Sequence, residues 1–167
     1  HQQHAIFGGG PSFSVHPSDL APALVALGAT FEILGPDGPR HLTATELFVL
    51  PSQNPARENT LGAMEILTGV RIPTPAAEVL STYLKITDRA AWTHAEVSVA
   101  VVLHVESERI RTASVVLGGV APMPWRASNS GSKGKMHSTW LAARRIFSTR
   151  SARQAQMEGQ TKCTVRV

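Results

Sequence analysis

The sequence predicts an α+β fold in which a short helix and a hairpin precede a small antiparallel sheet. The helix is predicted from the apolar run Leu20 to Leu27, which lies between Asp19 and Gly28. The sheet is predicted from AEVSVAVVLHVE (residues 95–106), where valine or leucine recurs at every second position. With 167 residues, 43% of them hydrophobic, the chain is long enough for one modest domain or two small ones.

The first helix has recognisable ends. Asp19 is the predicted N-cap, because Pro22 then falls at the third helical position, where no intrahelical N–H bond is lost. Gly28 is typical of the residue that ends a helix. The triplet Gly8-Gly9-Gly10 precedes this helix, and its spacing matches neither common phosphate-loop pattern. Two interpretations stay open: a surface loop joined to a capped helix, or a segment in which bare backbone approaches a ligand.

A hairpin and a second short helix are predicted next. TFEIL alternates like a strand, GPDG is typical of a turn, and residues 40–42 complete the hairpin. Thr43 and Glu46 have the spacing of a capping box, which predicts a helix start at this position. The polar loop SQNPAREN (residues 52–59) is the predicted boundary between two units.

The second unit is predicted to be antiparallel β-structure. Its strands are predicted from EILTGVRIP, STYLKITDR, AEVSVAVVLHVE and RIRTASVVLGGV, which form a small meander that ends at Gly118–Gly119. One face of the 95–106 strand is apolar and the other is half polar, so helices or another domain are expected to cover part of that second face. Beyond Ala127 the pattern is weak, apart from a short helix predicted over residues 138–149.

Charge is distributed unevenly along the chain. Residues 1–125 contain 7 Lys/Arg and 11 Asp/Glu (net −4), whereas residues 126–167 contain 9 Lys/Arg and one acidic residue (net +8). This basic tail is either a solvated appendage or a surface for nucleic acid or an acidic partner. Its few aromatic residues, Trp140 and Phe147, and the lack of a recognised motif argue against nucleic acid.

Composition limits the remaining classes of protein. The single cysteine, Cys163, excludes an internal disulfide and a cysteine-rich metal or iron–sulfur site. No apolar run approaches the ~18 residues of a membrane span. A start at His1 without methionine favours a fragment or a processed product. The 7 histidines are scattered without the spacing of a zinc site. Lys85, Asp88 and Arg89 predict either a charged rim or an ordinary solvated strand end.

The order of several segments carries a family resemblance that covers about His4 to Arg126. These segments are HAIFGG, HPSDLAPALVALGA, EILTGVRIP, STYLKITDRA, AEVSVAVVL and IRTASVVLGGVAPMPWRA. Together they resemble the FAD-binding (medium) subunit of the xanthine dehydrogenase and carbon monoxide dehydrogenase family of molybdenum hydroxylases. The branch that they resemble most is that of bacterial aldehyde oxidoreductases, which leaves both cytoplasm and periplasm open as the compartment.

The resemblance implies a domain organisation and a function. Residues 1–55 correspond to the end of a PCMH-type FAD-binding subdomain, residues 60–126 to a small antiparallel-sheet C-terminal domain of the CO dehydrogenase flavoprotein type, and residues 127–167 to an atypical basic tail. The implied function is electron transfer from iron–sulfur clusters through FAD to an acceptor, in an enzyme that oxidises aldehydes or N-heterocycles. The implied partners are an iron–sulfur small subunit and a molybdopterin large subunit. The alternative is a non-enzymatic module whose basic tail binds nucleic acid or an acidic partner.

The resemblance also implies positions around the cofactor. Gly8, Gly9 and Gly10 correspond to a strip that lies against FAD, and Asp19 to an aspartate that hydrogen-bonds it. His94 corresponds to a residue beside the flavin ring, or, on its own pattern, to a plain strand-end histidine. Arg111 corresponds to a basic residue near the cofactor. No catalytic acid or base is implied.

Three departures from the family accompany the resemblance. Relatives often have asparagine at the position of Gly10. The family has another FAD subdomain, with most of the pyrophosphate-binding loop, ahead of this segment, so residues 1–167 alone are expected to bind FAD weakly. The segment after Arg126 differs in charge and periodicity from the helical bundle that follows in relatives, which indicates a shifted reading frame or a divergent end.

Overall fold

The structure, a computed structural model, describes residues 4–11, 13–75, 79–89, 91–107, 109–128 and 162–163. Within these residues the elements follow the order α1, β1, β2, α2 and β3 to β8. Their bounds are α1 Leu20–Ala26, β1 Thr30–Gly35, β2 Gly38–Thr43, α2 Ala44–Leu47, β3 Ile66–Arg71, β4 Val79–Ile86, β5 Val97–Glu106, β6 Arg109–Gly118, β7 Trp125–Ser128 and β8 Lys162–Cys163. The helix predicted over residues 138–149 lies outside the described residues.

The ends of α1 are set by local hydrogen bonds. Ser18 Oγ accepts the N–H of Ala21 at 3.1 Å, which is the bond that an N-cap side chain makes. Asp19 directly precedes α1, as predicted for the N-cap residue, but its φ and ψ of −77° and −33° are already helical and its side chain makes no capping hydrogen bond. At the other end Gly28 has φ +71°, as predicted for a helix-ending glycine. The N–H groups of Gly28 and Ala29 donate to the carbonyls of Val25 and Leu24, which completes a Schellman motif.

The predicted hairpin and capping box are both confirmed. Strands β1 and β2 pair antiparallel from Thr30 opposite Thr43 to Gly35 opposite Gly38. Glu46 Oε2 accepts the backbone N–H of Thr43 at 2.7 Å, and this bond lowers the pKa of the Glu46 carboxyl. The short helix α2 therefore begins where the sequence predicts it.

Strand β3 does not belong to the sheet in which the sequence analysis placed it. It pairs antiparallel with β1, so the first sheet has the order β2-β1-β3. The second unit was predicted to start at residue 60 and to include EILTGVRIP as a strand of its meander. That strand pairing is wrong, because this strand pairs with β1. The physical reason is that the polar loop folds back: the N–H of Val49 donates to Glu58 O and that of Thr60 to Leu47 O. This return brings β3 alongside the free edge of β1.

The second sheet is the predicted antiparallel meander with additions at both edges. Its order is β7-β6-β5-β4-β8. Strand β5 pairs with β4 from Val97 opposite Ile86 to His104 opposite Val79, and with β6 from Ser98 opposite Gly118 to Glu106 opposite Arg109. Strand β7 was not predicted, because its four residues follow a proline-rich turn and are too few to show alternation.

Both faces of this sheet are covered at the end where β5 begins. On one face Ala100 and Val116 join Val25 and Phe31 in a cluster that ties α1 and the first sheet to the second. The expectation that a helix covers the half-polar face of β5 is thus confirmed. On the other face Val97, Val99, Leu117, Val120 and Ala121 form a second cluster.

Candidate functional site

The glycine triplet lies in a loop that is anchored at two points to the chain after β6. The N–H of Phe7 donates to Val120 O at 3.1 Å, and the N–H of His16 donates to Ala121 O at 2.9 Å. The ring of Phe7 stacks on Trp125 with a centroid distance of 5.2 Å. Residues 7–16 therefore form a short excursion that starts and finishes at neighbouring residues of the second unit.

The fold itself requires each of the three glycines. Gly8 and Gly10 have φ of +58° and +56°, a region that side chains disfavour. Gly9 is buried, and a Cβ added there would lie 2.7 Å from Phe13 Cδ1 and 2.9 Å from Ala5 O. Packing and backbone conformation thus explain the triplet without a ligand, while Gly8 and Gly10 remain exposed to solvent.

Asp19 is bound by two side chains of β4. Tyr83 Oη donates to Asp19 Oδ1 at 3.1 Å, and Lys85 Nζ donates to Asp19 Oδ2 at 2.5 Å. Residues 83 and 85 are two apart on one strand and so point to the same face. The Asp19 side chain keeps 43% exposure, so its carboxylate can accept further hydrogen bonds from outside. Sequence analysis did not identify Tyr83 as part of this site.

The loop that joins β4 to β5 lies beside Asp19. Lys85 Nζ also donates to Thr93 O at 3.1 Å, which ties this loop to the Asp19 carboxylate. Trp92 in the same loop is 94% exposed and has φ +56°. His94 follows Thr93 directly and is exposed as well. His94 is thus adjacent to Thr93, whose carbonyl shares the Lys85 ammonium with Asp19, and the same loop adds Trp92, an exposed aromatic residue in a disfavoured conformation.

The glycine loop and the Asp19 region share one end of the second sheet. A Cβ added to Gly118, opposite Ser98, would lie 2.6 Å from Pro22 Cγ of α1. A Cβ added to Gly119 would lie 2.8 Å from Ala95 O. Because Val120 anchors the glycine loop, residues 118–120 lie next to that loop, to α1 at Pro22 and to the backbone at Ala95.

Arg111 lies at the opposite end of the sheet. It is seven residues before Gly118 on β6, which corresponds to about 24 Å along an antiparallel strand. Its Nε donates to Glu106 Oε2 at 2.5 Å, and both side chains are more than half exposed. The structure therefore does not bring Arg111 together with Asp19, and its implied role stays a prediction.

A largely apolar cavity of about 390 Å³ lies on the other side of the glycine loop. Among the residues that line it are Phe48, Leu50 and Trp125. Leu50 and Trp125 would each lie 3.1 Å from a Cβ added to Gly8. His16 packs edge-on against Phe48, and burial lowers the pKa of its imidazole while the charge of Glu58 acts in the opposite direction.

The part of the chain that the structure describes contains neither a metal-binding cluster nor a membrane-spanning helix. In ranges 4–11, 13–75, 79–89, 91–107, 109–128 and 162–163 no group of three or more His, Cys, Asp or Glu side chains is arranged to hold a metal ion. The described helices are also too short to cross a membrane.

Two family models match the chain in succession. Residues 4–75 match the FAD binding domain in molybdopterin dehydrogenase, and residues 82–133 match the CO dehydrogenase flavoprotein C-terminal domain. The break between them, at residues 76–81, falls between β3 and the body of β4. The models thus divide the chain at the same place as the strand pairing.

Relatives and solved structures agree with these matches. The chain is 35% identical over 127 residues to the aldehyde oxidoreductase FAD-binding subunit PaoB of Escherichia coli (75% of this chain, 38% of the relative). It is 32% identical over 124 residues to the carbon monoxide dehydrogenase medium chain of Afipia carboxidovorans (74% and 41%). CO dehydrogenase from Oligotropha carboxidovorans is similar in structure, with a TM-score of 0.58 at 29% identity over 65% of this chain and 36% of that one. The chain thus spans about two fifths of the two relatives' lengths.

Proposed function

Because the chain belongs to the FAD-binding (medium) subunits of the xanthine dehydrogenase and carbon monoxide dehydrogenase family, we propose that it is part of an electron-transfer subunit of a molybdenum-containing hydroxylase. The observation that carries this proposal is the succession of the two matched domains, over residues 4–75 and 82–133. The resemblance inferred from the sequence and the α+β fold class are confirmed by the same matches. The substrates proposed are aldehydes or N-heterocycles, and the partners proposed are an iron–sulfur small subunit and a molybdopterin large subunit.

The residues at the shared end of the second sheet fit a flavin dinucleotide. Gly8 and Gly10 are exposed, so a phosphate-bearing ligand can reach their backbone, while Leu50, Trp125 and Pro51 fill the space that a Cβ would take. The Asp19 carboxylate has unused acceptor positions for ribityl or ribose hydroxyls. Trp92, 94% exposed, offers a flat surface to an aromatic ring system. These contacts would meet the three parts of a flavin dinucleotide: its phosphates, its hydroxyl groups and its aromatic ring system.

When bound, FAD supplies the redox chemistry, and the chain supplies position and electrostatics. We assign Gly8, Gly9 and Gly10 to the backbone surface that follows the cofactor, and Asp19 to its hydroxyl groups. Trp92 and His94, in the loop between β4 and β5, would hold the ring system. Lys85 neutralises Asp19, so that the carboxylate lies next to the ligand without an uncompensated negative charge. None of these residues is proposed to act as a general acid or base.

The test is FAD binding to the chain joined to the FAD subdomain that precedes this segment in relatives. Asp19→Asn should lower FAD affinity about tenfold, because a hydrogen bond to a charged group contributes about 1.5 to 3 kcal/mol. Asp37→Asn is the matched control, since Asp37 is an exposed carboxylate in the turn between β1 and β2. Flavin fluorescence quenching reports affinity, and urea unfolding of the unliganded protein reports stability. Equal FAD affinity in Asp19→Asn and Asp37→Asn contradicts the proposed site.

A further inference from the structure

The carboxylate assigned to the cofactor is held by residues from the other matched domain. Asp19 lies within residues 4–75, whereas its two donors, Tyr83 and Lys85, lie within residues 82–133. Each donor takes a different oxygen: Tyr83 Oη bonds Oδ1 and Lys85 Nζ bonds Oδ2. The rotation of the carboxylate about its Cβ–Cγ bond is therefore fixed from one side only, that of β4.

The two donors are themselves held in different ways. The Tyr83 ring is half buried and packs against the cluster that α1 and β1 share with the second sheet. The Lys85 ammonium is fixed at its tip by Thr93 O, in the loop that contains Trp92. A buried aromatic ring has few rotamers to lose, whereas a lysine side chain has many. Tyr83 is thus the more rigid of the two contacts to Asp19.

From these contacts we infer that Tyr83 is the positioning residue of Asp19, orienting its carboxylate toward the cofactor. The inference rests on the proposed function of Asp19. It assigns to Tyr83 no contact with FAD and no part in electron transfer. It also predicts that cofactor affinity in this subunit depends on a strand of the second domain, because α1 begins directly after Asp19 while its orienting hydroxyl comes from β4.

The contact between Tyr83 and Asp19 can be measured without any cofactor. The chain contains one tyrosine, so phenolate absorbance at alkaline pH reports Tyr83 alone. Burial raises the pKa of the Tyr83 phenol to about 12; the nearby Ser98 hydroxyl lowers it, and the charge and hydrogen bond of Asp19 add to the rise. Asp19→Asn should lower this pKa while leaving the contribution of burial, and Asp37→Asn should leave it unchanged. A pKa that does not respond to Asp19→Asn overturns the inference.

The effect on the cofactor is tested with Tyr83→Phe in the chain that carries the preceding FAD subdomain. Phenylalanine keeps the ring packing and removes only the hydroxyl, so FAD affinity should fall about threefold to tenfold while the fold persists. Thr82→Val is the matched control, because it removes a hydroxyl from the adjacent residue, which points to the other face of β4. Thermal unfolding of the unliganded variants separates lost affinity from lost stability.

The outcomes distinguish this inference from the proposed function. If Asp19→Asn weakens FAD binding and Tyr83→Phe does not, the positioning role is wrong and the assignment of Asp19 stands. If neither variant weakens FAD binding, the proposed site itself is wrong. The inference is supported when Tyr83→Phe weakens binding more than Thr82→Val and adds little to the loss in the double variant with Asp19→Asn, because the hydroxyl then acts through the carboxylate.

Discussion

Arg40 and Glu65 form a two-pronged ion pair that spans strand β1. Arg40 Nε donates to Glu65 Oε1 and Arg40 Nη2 donates to Glu65 Oε2, each at 2.7 Å. Arg40 lies on β2, and Glu65 directly precedes β3, so the two partners come from opposite sides of the central strand. Glu65 Oε2 also accepts the N–H of Gly62 at 2.6 Å. This clamp fixes the start of β3, the strand whose partner the sequence did not reveal.

The clamp predicts a loss of stability in acid. The Arg40 guanidinium and then the Gly62 N–H hold the pKa of Glu65 at about 2, below its usual 4.5. A carboxyl with a lowered pKa stabilises the fold above its unfolded-state value, so this contribution is complete above about pH 4.5 and disappears as pH falls toward 2. Urea unfolding at pH 6 and pH 3 measures the difference. Glu65→Gln should show a smaller difference than the parent chain, whereas Asp37→Asn should match the parent. An identical acid response in Glu65→Gln and the parent contradicts the prediction.

A second prediction concerns the cap of α1. Ser18→Ala removes the acceptor of the Ala21 N–H and should lower the free energy of unfolding by about 1 kcal/mol. Ser52→Ala is the control, because Ser52 is exposed in a loop and should change stability by less than about 0.5 kcal/mol. Chemical unfolding followed by circular dichroism measures both. A loss in Ser18→Ala no larger than that in Ser52→Ala would show that another group caps the helix.

The parts of the fold that sequence predicted correctly are those with local causes. The end of α1 at Gly28, the turn of the β1–β2 hairpin between Gly35 and Gly38, and the Glu46 capping box each depend on residues within five positions of one another. The capping hydrogen bond of α1 was predicted for the wrong side chain. Ser18 and Asp19 are both residue types that cap helices well, and which of them makes the bond depends on partners far along the chain. Tyr83 is 64 residues from Asp19 and Lys85 is 66 residues away. Once those donors engage the carboxylate, the adjacent serine is left to cap the helix.

The pairing of β3 and the presence of Tyr83 and Trp92 at the site were not predicted, because they too depend on residues far apart in the sequence. Alternation in EILTGVRIP identifies a strand, but it does not say whether the strand pairs backward with β1 or forward with β4. Tyr83 follows the pattern of a core strand, and Trp92 stands in a polar loop; single letters in such settings carry no signal of a site. Their partners and exposure become visible only in three dimensions. The sequence does show that Tyr83 and Lys85 share one face of β4, but it does not show which residue that face contacts.

The last prediction concerns Gly118, where α1 approaches the second sheet. A Cβ added there would overlap Ser98 Oγ and lie 2.6 Å from Pro22 Cγ, and both of these residues are buried. Gly118→Ala should therefore lower the free energy of unfolding by about 1 to 3 kcal/mol, the usual cost of overpacking a closed core. Removing the Ser98 hydroxyl makes room on one side, so the double variant Gly118→Ala/Ser98→Ala should be more stable than the sum of the two single changes predicts. Urea unfolding of the four proteins of this cycle gives the coupling. Strict additivity would show that Pro22 alone opposes the added methyl group, and an unchanged stability in Gly118→Ala would show that α1 shifts away from the sheet at little cost.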